Sequence, residues 1–288
     1  MQIGGSSRTF GLYIVATPIG NLKDISARAI ETLKIVDCVL CEDTRVTAKL
    51  LQNIGVQAKL AVYNDHNASS VIPNIVKQLE VGISYALLSD AGMPLVSDPG
   101  YKLVNACIEN GISYTVIPGA CAVVSALALS GLPSDRFMFV GFADSSKFQE
   151  LVKIDATLIF FEAPGRVVKT IADMAERFSN RTVAVVREIT KMYEEVVCGN
   201  FPEVLRHFED NPPRGEFVLL LSPPTKDDAE KLLDLSPLVE ELADKVSLRD
   251  LSTALAKYSG LSRNVVYKFL LKNAEKLDNP VNGGASNA

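Results

Sequence analysis

Glu42, Asp43 and Arg45 place two carboxylates and a guanidinium within four residues, directly after a short apolar run and ahead of a helical one. Such a set can supply a general base and a bidentate clamp for a phosphate. The same spacing also suits a plainer arrangement, in which Asp43 or Thr44 caps a helix starting near Val46 while Glu42 and Arg45 face water. Ser89 to Gly100 packs two glycines, two prolines, two aspartates and two serines into twelve residues. A rigid loop of this kind exposes backbone N–H and C=O groups and can read a nucleoside through its main chain. Its plainer role is a long strand-to-helix turn capped by Ser97 or Asp98. His66, between Asp65 and Asn67, reads on its own as an exposed turn residue. His207 reads as a cation compensating a helix dipole near a helix end. Neither G-x-G-x-x-G nor G-x-x-x-x-G-K-[ST] occurs, which disfavours dinucleotides and triphosphates as ligands.

These residues need a scaffold that gathers them on one edge. From Leu12 to Ile117, strand-length apolar runs (12–16, 38–41, 60–63, 85–89 and 114–117) alternate with segments of helical spacing such as Ile25, Ala29, Ile30, Leu33 and Val36. The alternation predicts a mainly parallel sheet covered by helices, over residues 11–119. Ligands of such sheets bind beyond the carboxyl ends of the strands. Thr17 to Asn21, Glu42 to Arg45, Asn64 to Asn67, Ser89 to Gly100 and Pro118 to Ala120 all follow strand candidates.

A second α/β domain is expected over 120–225, opening with a helix at Ala120–Leu129 and continuing with strands at 137–142, 157–161, 183–188 and 216–221. A further strand at 194–199, joined to its predecessor by a short link, predicts an antiparallel pair and so a mixed sheet. A helical appendage follows over 226–278, with helices expected at 228–235, 237–245, 248–259 and 262–274. Its charge is split: residues 226–246 hold 3 basic and 7 acidic side chains, and residues 247–276 hold 6 basic and 2 acidic. A flexible start (1–10) and a disordered Gly- and Asn-rich tail (279–288) complete the expected organisation.

The 288 residues are 48% apolar and 22% charged, enough for substantial cores, and the formal net charge of −5 excludes a wholly basic nucleic-acid glove. Any nucleic-acid site has to be local. No apolar run approaches the ~20 residues of a bilayer span, and Met1 to Phe10 lacks the form of a secretory signal. A cytoplasmic location and no membrane partner are expected. Five cysteines, an odd number, suit buried reduced thiols. Cys38 and Cys41 lie three apart on an expected strand, pointing to opposite faces, so no metal site is expected.

Taken together, Leu12-Tyr13-Ile14-Val15-Ala16-Thr17-Pro18-Ile19-Gly20-Asn21-Leu22, Glu42-Asp43-Thr44-Arg45, Ser89-Asp90-Ala91-Gly92, Ser97-Asp98-Pro99-Gly100, Arg187-Glu188-Ile189-Thr190-Lys191 and Pro213-Arg214-Gly215-Glu216 resemble the ribosomal RNA small subunit methyltransferase I family of the tetrapyrrole methylase superfamily. The resemblance implies a two-domain α/β enzyme that uses S-adenosylmethionine to methylate a cytidine ribose 2′-hydroxyl of 16S ribosomal RNA, free or in the 30S subunit, as a homodimer. It carries cofactor contacts onto Pro18, Gly20, Asp90, Ala91, Gly92, Met93, Pro94, Ser97, Asp98, Pro118, Gly119 and Ala120. It carries catalytic roles onto Glu42, Asp43 and Arg45, with the choice of base between Glu42 and Asp43 left open. RNA contacts are expected at Arg45, His66, Arg166, Arg263, Lys268 and Lys272.

The chain departs from the family pattern in three places. Ala143 to Lys147 is shorter and less basic than usual, Gly165 stands where the family has a histidine, and Ala120-Cys121 replaces Pro-Ser. The rival expectations are a methyltransferase of a small tetrapyrrole and an RNA-binding or assembly protein that keeps the fold without methyl transfer.

Overall fold

The computed structural model describes residues 10–225, 235–242, 245–259, 261 and 263–278. Apart from Phe10, the expected flexible start lies outside them, as do the tail 279–288 and all but the last residue of the helix expected at 228–235. Strands β1 (Leu12–Val15), β2 (Cys38–Cys41), β3 (Leu60–Val62), β4 (Tyr85–Leu87) and β5 (Tyr114–Ile117) form one sheet in the order β3-β2-β4-β1-β5. All of its pairings are parallel. The central strands β1, β2 and β4 are buried throughout, whereas the edge strands β3 and β5 are partly open. That contrast explains why the central strands read as unbroken apolar runs.

Helices α1 (Ala27–Ile35), α2 (Thr44–Asn53), α3 (Ala68–Glu80) and α4 (Tyr101–Glu109) connect these strands. Leu33 and Leu51 anchor the core on one face of the sheet, and Ile75, Leu79, Leu103 and Cys107 anchor the core on the other. The chain leaves β1 to form β2 on one side and leaves β4 to form β5 on the other. The adjacent ends of β1 and β4 therefore flank the crevice where the strand order reverses, the place where open α/β sheets bind ligands.

Helix α5 (Ala122–Ser130) starts two residues later than expected and leads into the second sheet. It is apolar nearly all round, with Val123, Ala126 and Leu127 buried and Val124 and Leu129 left exposed, and Gly131 ends it at φ +67°. Strands β6 (Phe137–Phe142), β7 (Thr157–Glu162), β8 (Val183–Arg187), β9 (Glu195–Gly199) and β10 (Phe217–Leu221) take the order β6-β7-β10-β8-β9. β6 and β7 pair in parallel, while β10 runs antiparallel to both its neighbours and β9 antiparallel to β8. The sheet is mixed, as the short link before β9 implied. Helices α6 (Phe148–Leu151), α7 (Val167–Arg177) and α8 (Phe201–Asp210) cover one face. α8 starts at a capping box in which Asn200 and Glu203 exchange hydrogen bonds.

His207 stands in the last turn of α8, as expected. Its Nε2 lies 3.0 Å from Glu195 Oε1 on β9, so it is held across to the edge strand rather than serving the helix end alone. On the other face, Val123, Ala126 and Leu127 of α5 pack with Ile159, Ala184, Val186 and Leu220, and Ile19 from the loop after β1 joins the same core. The two sheets are thereby fastened together within the unit that ends at Pro224.

The unit from Thr225 onward contains α9 (Ser236–Leu242), α10 (Leu248–Ser259) and α11 (Arg263–Asp278). Val239, Leu251, Leu255, Leu261, Val266 and Leu270 form its core. Arg263 and Lys268 are exposed on α11, and Arg263 Nε donates to Ser252 Oγ at 3.4 Å. Lys272 belongs to the same helix.

Candidate active site

Glu42 and Asp43 follow β2, and Asp43 becomes the cap of α2: its carboxylate accepts from the Arg45 N–H at 2.8 Å. The helix accordingly begins at Thr44, two residues before the expected start. Asp43 also takes the Arg45 guanidinium, with Nε at 3.0 and 3.2 Å and Nη2 at 2.6 Å. These bonds hold its carboxyl well below the usual range, at about 2. Asp43 is therefore already committed, both to the helix and to Arg45.

Glu42 is the opposite case. Burial pushes its carboxyl up, and the neighbouring carboxylates of Asp98, Asp90 and Asp65 push the same way, against a hydrogen bond from the Asp90 backbone. Asp98 is raised as well, first by burial and then by Asp90, with the Ser89 hydroxyl opposing. The strand ends thus converge on Glu42 and Asp98, both half-buried and both raised, with the exposed carboxylates of Asp90 and Asp65 beside them. A group with a raised pKa, held by one backbone hydrogen bond and by no cation, is better suited to accept a proton than Asp43.

The loop after β4 is fixed by a two-way clasp across the crevice. Thr17 N–H donates to Gly92 O at 2.8 Å, and Gly92 N–H donates to Thr17 O at 3.1 Å. Gly92 is buried at φ +82°, and an added Cβ would lie 3.1 Å from Ile19. Its main chain is spent on the clasp, so replacing it with valine would strain the loop itself rather than merely obstruct a ligand. Leu95 (φ +73°) and Ser97 (φ +64°) also adopt left-handed backbone, a cost seen where a loop's shape serves a site. Of the other residues expected to touch a cofactor, Gly20, Asp90, Ala91, Ser97, Pro118 and Gly119 are exposed, Met93, Asp98, Pro18 and Ala120 are half-buried, and Pro94 is buried. Asp43 N–H reaches Asp90 Oδ1 at 3.4 Å, which brings the Glu42–Arg45 segment and the loop after β4 together. His66 is exposed in the turn Asn64–Asn67, where its N–H donates to Asn64 Oδ1 at 3.1 Å. Nothing in its geometry turns it toward chemistry.

At the matching edge of the second sheet, Glu162 closes β7 with its side chain 1% exposed. It accepts from Ala163 N–H at 2.7 Å, Arg166 Nε at 2.8 Å and Thr170 Oγ1 at 2.6 Å. This bracket fixes the half-exposed guanidinium of Arg166 at the surface.

A cavity of about 370 Å³ opens where the two sheets' edges meet. The loop after β1 supplies Thr17 to Gly20 and Leu22, the outer face of α2 supplies Val46, Lys49, Leu50 and Asn53, the loop after β4 supplies Asp90 and Ala91, and the second sheet supplies Lys191 and Glu216. Lys49, Asn53, Lys191 and Glu216 are the charged and amide side chains that the cavity adds to the expected site. The Arg187–Lys191 and Pro213–Glu216 motifs were the signal for the last two. Among the described residues no group of three His, Cys, Asp or Glu side chains is placed to hold a metal ion. Cys38 and Cys41 are buried thiols whose pKa values burial raises.

Residues 11–205 match the family model of tetrapyrrole (corrin/porphyrin) methylases. The chain is 41% identical over 269 residues to the ribosomal RNA small subunit methyltransferase I of Mesorhizobium japonicum, covering 91% of each protein. It is 39% identical over 279 residues to the protein of that name from Haemophilus influenzae, covering 92% of this chain and 98% of the relative. The chain belongs to the ribosomal RNA small subunit methyltransferase I family. Among solved structures, it is similar in fold to a diphthine synthase (TM-score 0.56, 17% identity, 73% of this chain and 89% of that one). It is likewise similar to the uroporphyrin-III-C-methyltransferase of Thermus thermophilus (TM-score 0.52, 19% identity, 73% and 93%).

In this member of the ribosomal RNA small subunit methyltransferase I family, Gly165 leaves its surroundings undisturbed. Gly165 sits in the turn before α7 with open space around it, and the Glu162–Arg166 pairing across that turn is intact without a histidine.

Proposed function

We propose that this chain transfers a methyl group from S-adenosylmethionine to the ribose 2′-hydroxyl of a cytidine in 16S ribosomal RNA. Membership of the family makes it a methyltransferase with that cofactor. The cytidine, the ribose oxygen and the residue roles belong to the proposal. The observation that carries it is the contrast between Glu42, raised and without a cationic partner, and Asp43, held at about 2 and tied to Arg45, after β2 beside the crevice between β1 and β4.

The donor set fits the cofactor. A sulfonium and an ammonium bring positive charge to a place where Glu42, Asp90 and Asp98 repel one another, and the loop from Asp90 to Pro94 with the Pro118–Ala120 turn offers main-chain groups for a nucleoside. When bound, the cofactor supplies an electrophilic methyl carbon. Glu42 takes the proton of the ribose hydroxyl as that oxygen is methylated, and Asp43 holds Arg45 in place. Arg45 meets an RNA phosphate with the part of its guanidinium that Asp43 leaves open; its side chain is 89% exposed. Arg166, braced by Glu162, holds a second phosphate. Most of the rate comes from holding the hydroxyl in line with the methyl carbon.

The family resemblance supports a homodimer working in the cytoplasm. No helix of the described residues is long and apolar enough to cross a membrane.

Transfer of labelled methyl to 30S subunits tests the substrate. Incorporation into RNA supports the reading. Incorporation only into a tetrapyrrole, or cofactor binding by calorimetry without transfer to either, overturns it in favour of one of the rivals.

The basic helices offer a further expected result. Binding to single-stranded RNA should weaken with salt at a log–log slope of about −0.7 per phosphate neutralised. Replacing Arg263, Lys268 and Lys272 with alanine is expected to flatten that slope by up to about 2 and to leave cofactor affinity unchanged. An unchanged slope would make α11 an ordinary solvated face and concentrate RNA contact at Arg45 and Arg166.

A further inference from the structure

The wall of the cavity contributed by the second sheet presents a hydrogen-bond acceptor beside a donor. Lys191 Nζ lies 3.0 Å from Glu216 Oε2 and 2.8 Å from Glu188 Oε1. Burial works against the ammonium, but the two carboxylates outweigh it and keep Lys191 above the ordinary lysine value. An ammonium has three protons, so two of these bonds leave one for a ligand. The Glu216 side chain is 75% exposed, and its carboxylate has lone pairs to spare.

The pair is also built to stay in place. Glu216 N–H donates to Glu188 Oε1 at 3.0 Å, Glu188 adopts φ +50° and Thr190 φ +69°. Gly215, at φ +89°, lies so close that an added Cβ would fall 2.4 Å from the Glu188 carboxyl carbon. Thr190 Oγ1 accepts from Asn21 N–H at 3.1 Å, tying this loop to the one after β1. Left-handed backbone at two non-glycine residues is a cost that clusters at functional sites.

In the same cavity, Leu22 and Val46 are 46% and 43% exposed, so apolar surface is left open that a planar ring could cover. The volume falls in the range of small-molecule sites.

We propose that the Glu216–Lys191 pair reads the Watson–Crick edge of the target base and selects cytosine over uracil. Cytosine presents an amino donor beside the N3 acceptor, complementary to a carboxylate beside an ammonium. Uracil presents an oxygen acceptor beside an N3–H donor, and each of its groups then faces its like. RNA recognition commonly works this way, on an unstacked base bonded along its Watson–Crick edge. The assignment rests on the reading of the chain as a ribose methyltransferase of cytidine. The cavity borders Asp90, whose contact with Asp43 places the base pocket beside the proposed chemistry.

The test uses full-length protein and 30S subunits. The methylated cytidine is located by mass spectrometry, and subunits carrying uridine there are compared with unaltered ones by kcat/KM. Wild type is expected to prefer cytidine by roughly 5- to 150-fold, the worth of one bidentate base contact. Glu216→Gln, whose amide can turn either its oxygen or its nitrogen to the base, is expected to lose most of that preference, in part by gaining on uridine. Cofactor affinity measured by calorimetry serves as the folding control, and Lys191→Met is expected to lose the preference in the same way. Full preference retained by Glu216→Gln, or none in wild type, overturns the assignment while ribose methylation stands. Absence of ribose methylation on either substrate overturns the underlying reading instead.

Discussion

Glu42→Gln is expected to slow methyl transfer, at saturating cofactor and RNA, by roughly 10²- to 10⁴-fold, the usual contribution of a positioned general base. Cofactor affinity should change far less. The expectation rests on two adjacent carboxylates in opposite environments. Glu42 is half-buried among Asp98, Asp90 and Asp65, which raise it, whereas Asp43 is held at about 2 by Arg45 and by the end of α2. A base acts only when deprotonated, so a raised pKa moves the acid limb of the pH–rate profile upward. In kcat/KM for the cofactor, which reports the free enzyme, the wild-type limb should lie above the ordinary glutamate value of about 4.3, and it should vanish in Glu42→Gln. Were Asp43 the base, the limb would sit near 2. Asp43→Asn should release Arg45 and weaken the start of α2, and Arg45→Ala should weaken RNA binding; both lower transfer more than cofactor affinity, and both by less than Glu42→Gln. The reverse ranking would assign the proton to Asp43.

Arg181→Met is expected to cost about 3–5 kcal/mol of folding stability, measured by urea unfolding. Arg181 is 4% exposed, and its guanidinium donates to five carbonyls. Nη1 meets Ala156 O at 3.0 Å and Ser222 O at 2.8 Å. Nη2 meets Ile154 O at 2.6 Å, Val152 O at 3.0 Å and Leu151 O at 3.4 Å. It gathers the segment between α6 and β7 and the residue after β10 around one cation, which also lies 5.5 Å from the centre of the Phe178 ring. Burial lowers its pKa to about 10, which leaves it charged at neutral pH. Methionine fills part of the volume and satisfies none of the carbonyls, and the cost of orphaned buried acceptors exceeds the net worth of the bonds themselves. A loss below about 1 kcal/mol would mean that water or loop movement replaces the guanidinium without penalty.

The strands of the first sheet were legible because parallel strands buried on both faces are short apolar runs between turn residues, and Cys38-Val39-Leu40-Cys41 is such a run. The strand-end motifs were legible because the loops after β1 and β4 carry glycines and prolines whose purpose is backbone shape. What the loop after β4 does with Gly92 was not: a clasp between Thr17 and Gly92 joins residues 75 apart, which no local pattern records. The roles of Glu42 and Asp43 could not be told apart for the same reason. Adjacent carboxylates look alike until Arg45 folds back on one and Asp90 and Asp98 approach the other. The burial of Arg181 and Glu162 is not legible either, since a single charged residue in a loop or at a strand end shows no sign of burial until the elements around it are packed.

The most direct test is mass analysis of nucleosides from 30S subunits incubated with the protein and S-adenosylmethionine carrying a deuterated methyl group. Deuterated methyl confined to a 2′-O-methylated cytidine is the expected result. Label on a base carbon or nitrogen, or on no ribosomal nucleoside at all while the cofactor binds, would contradict it.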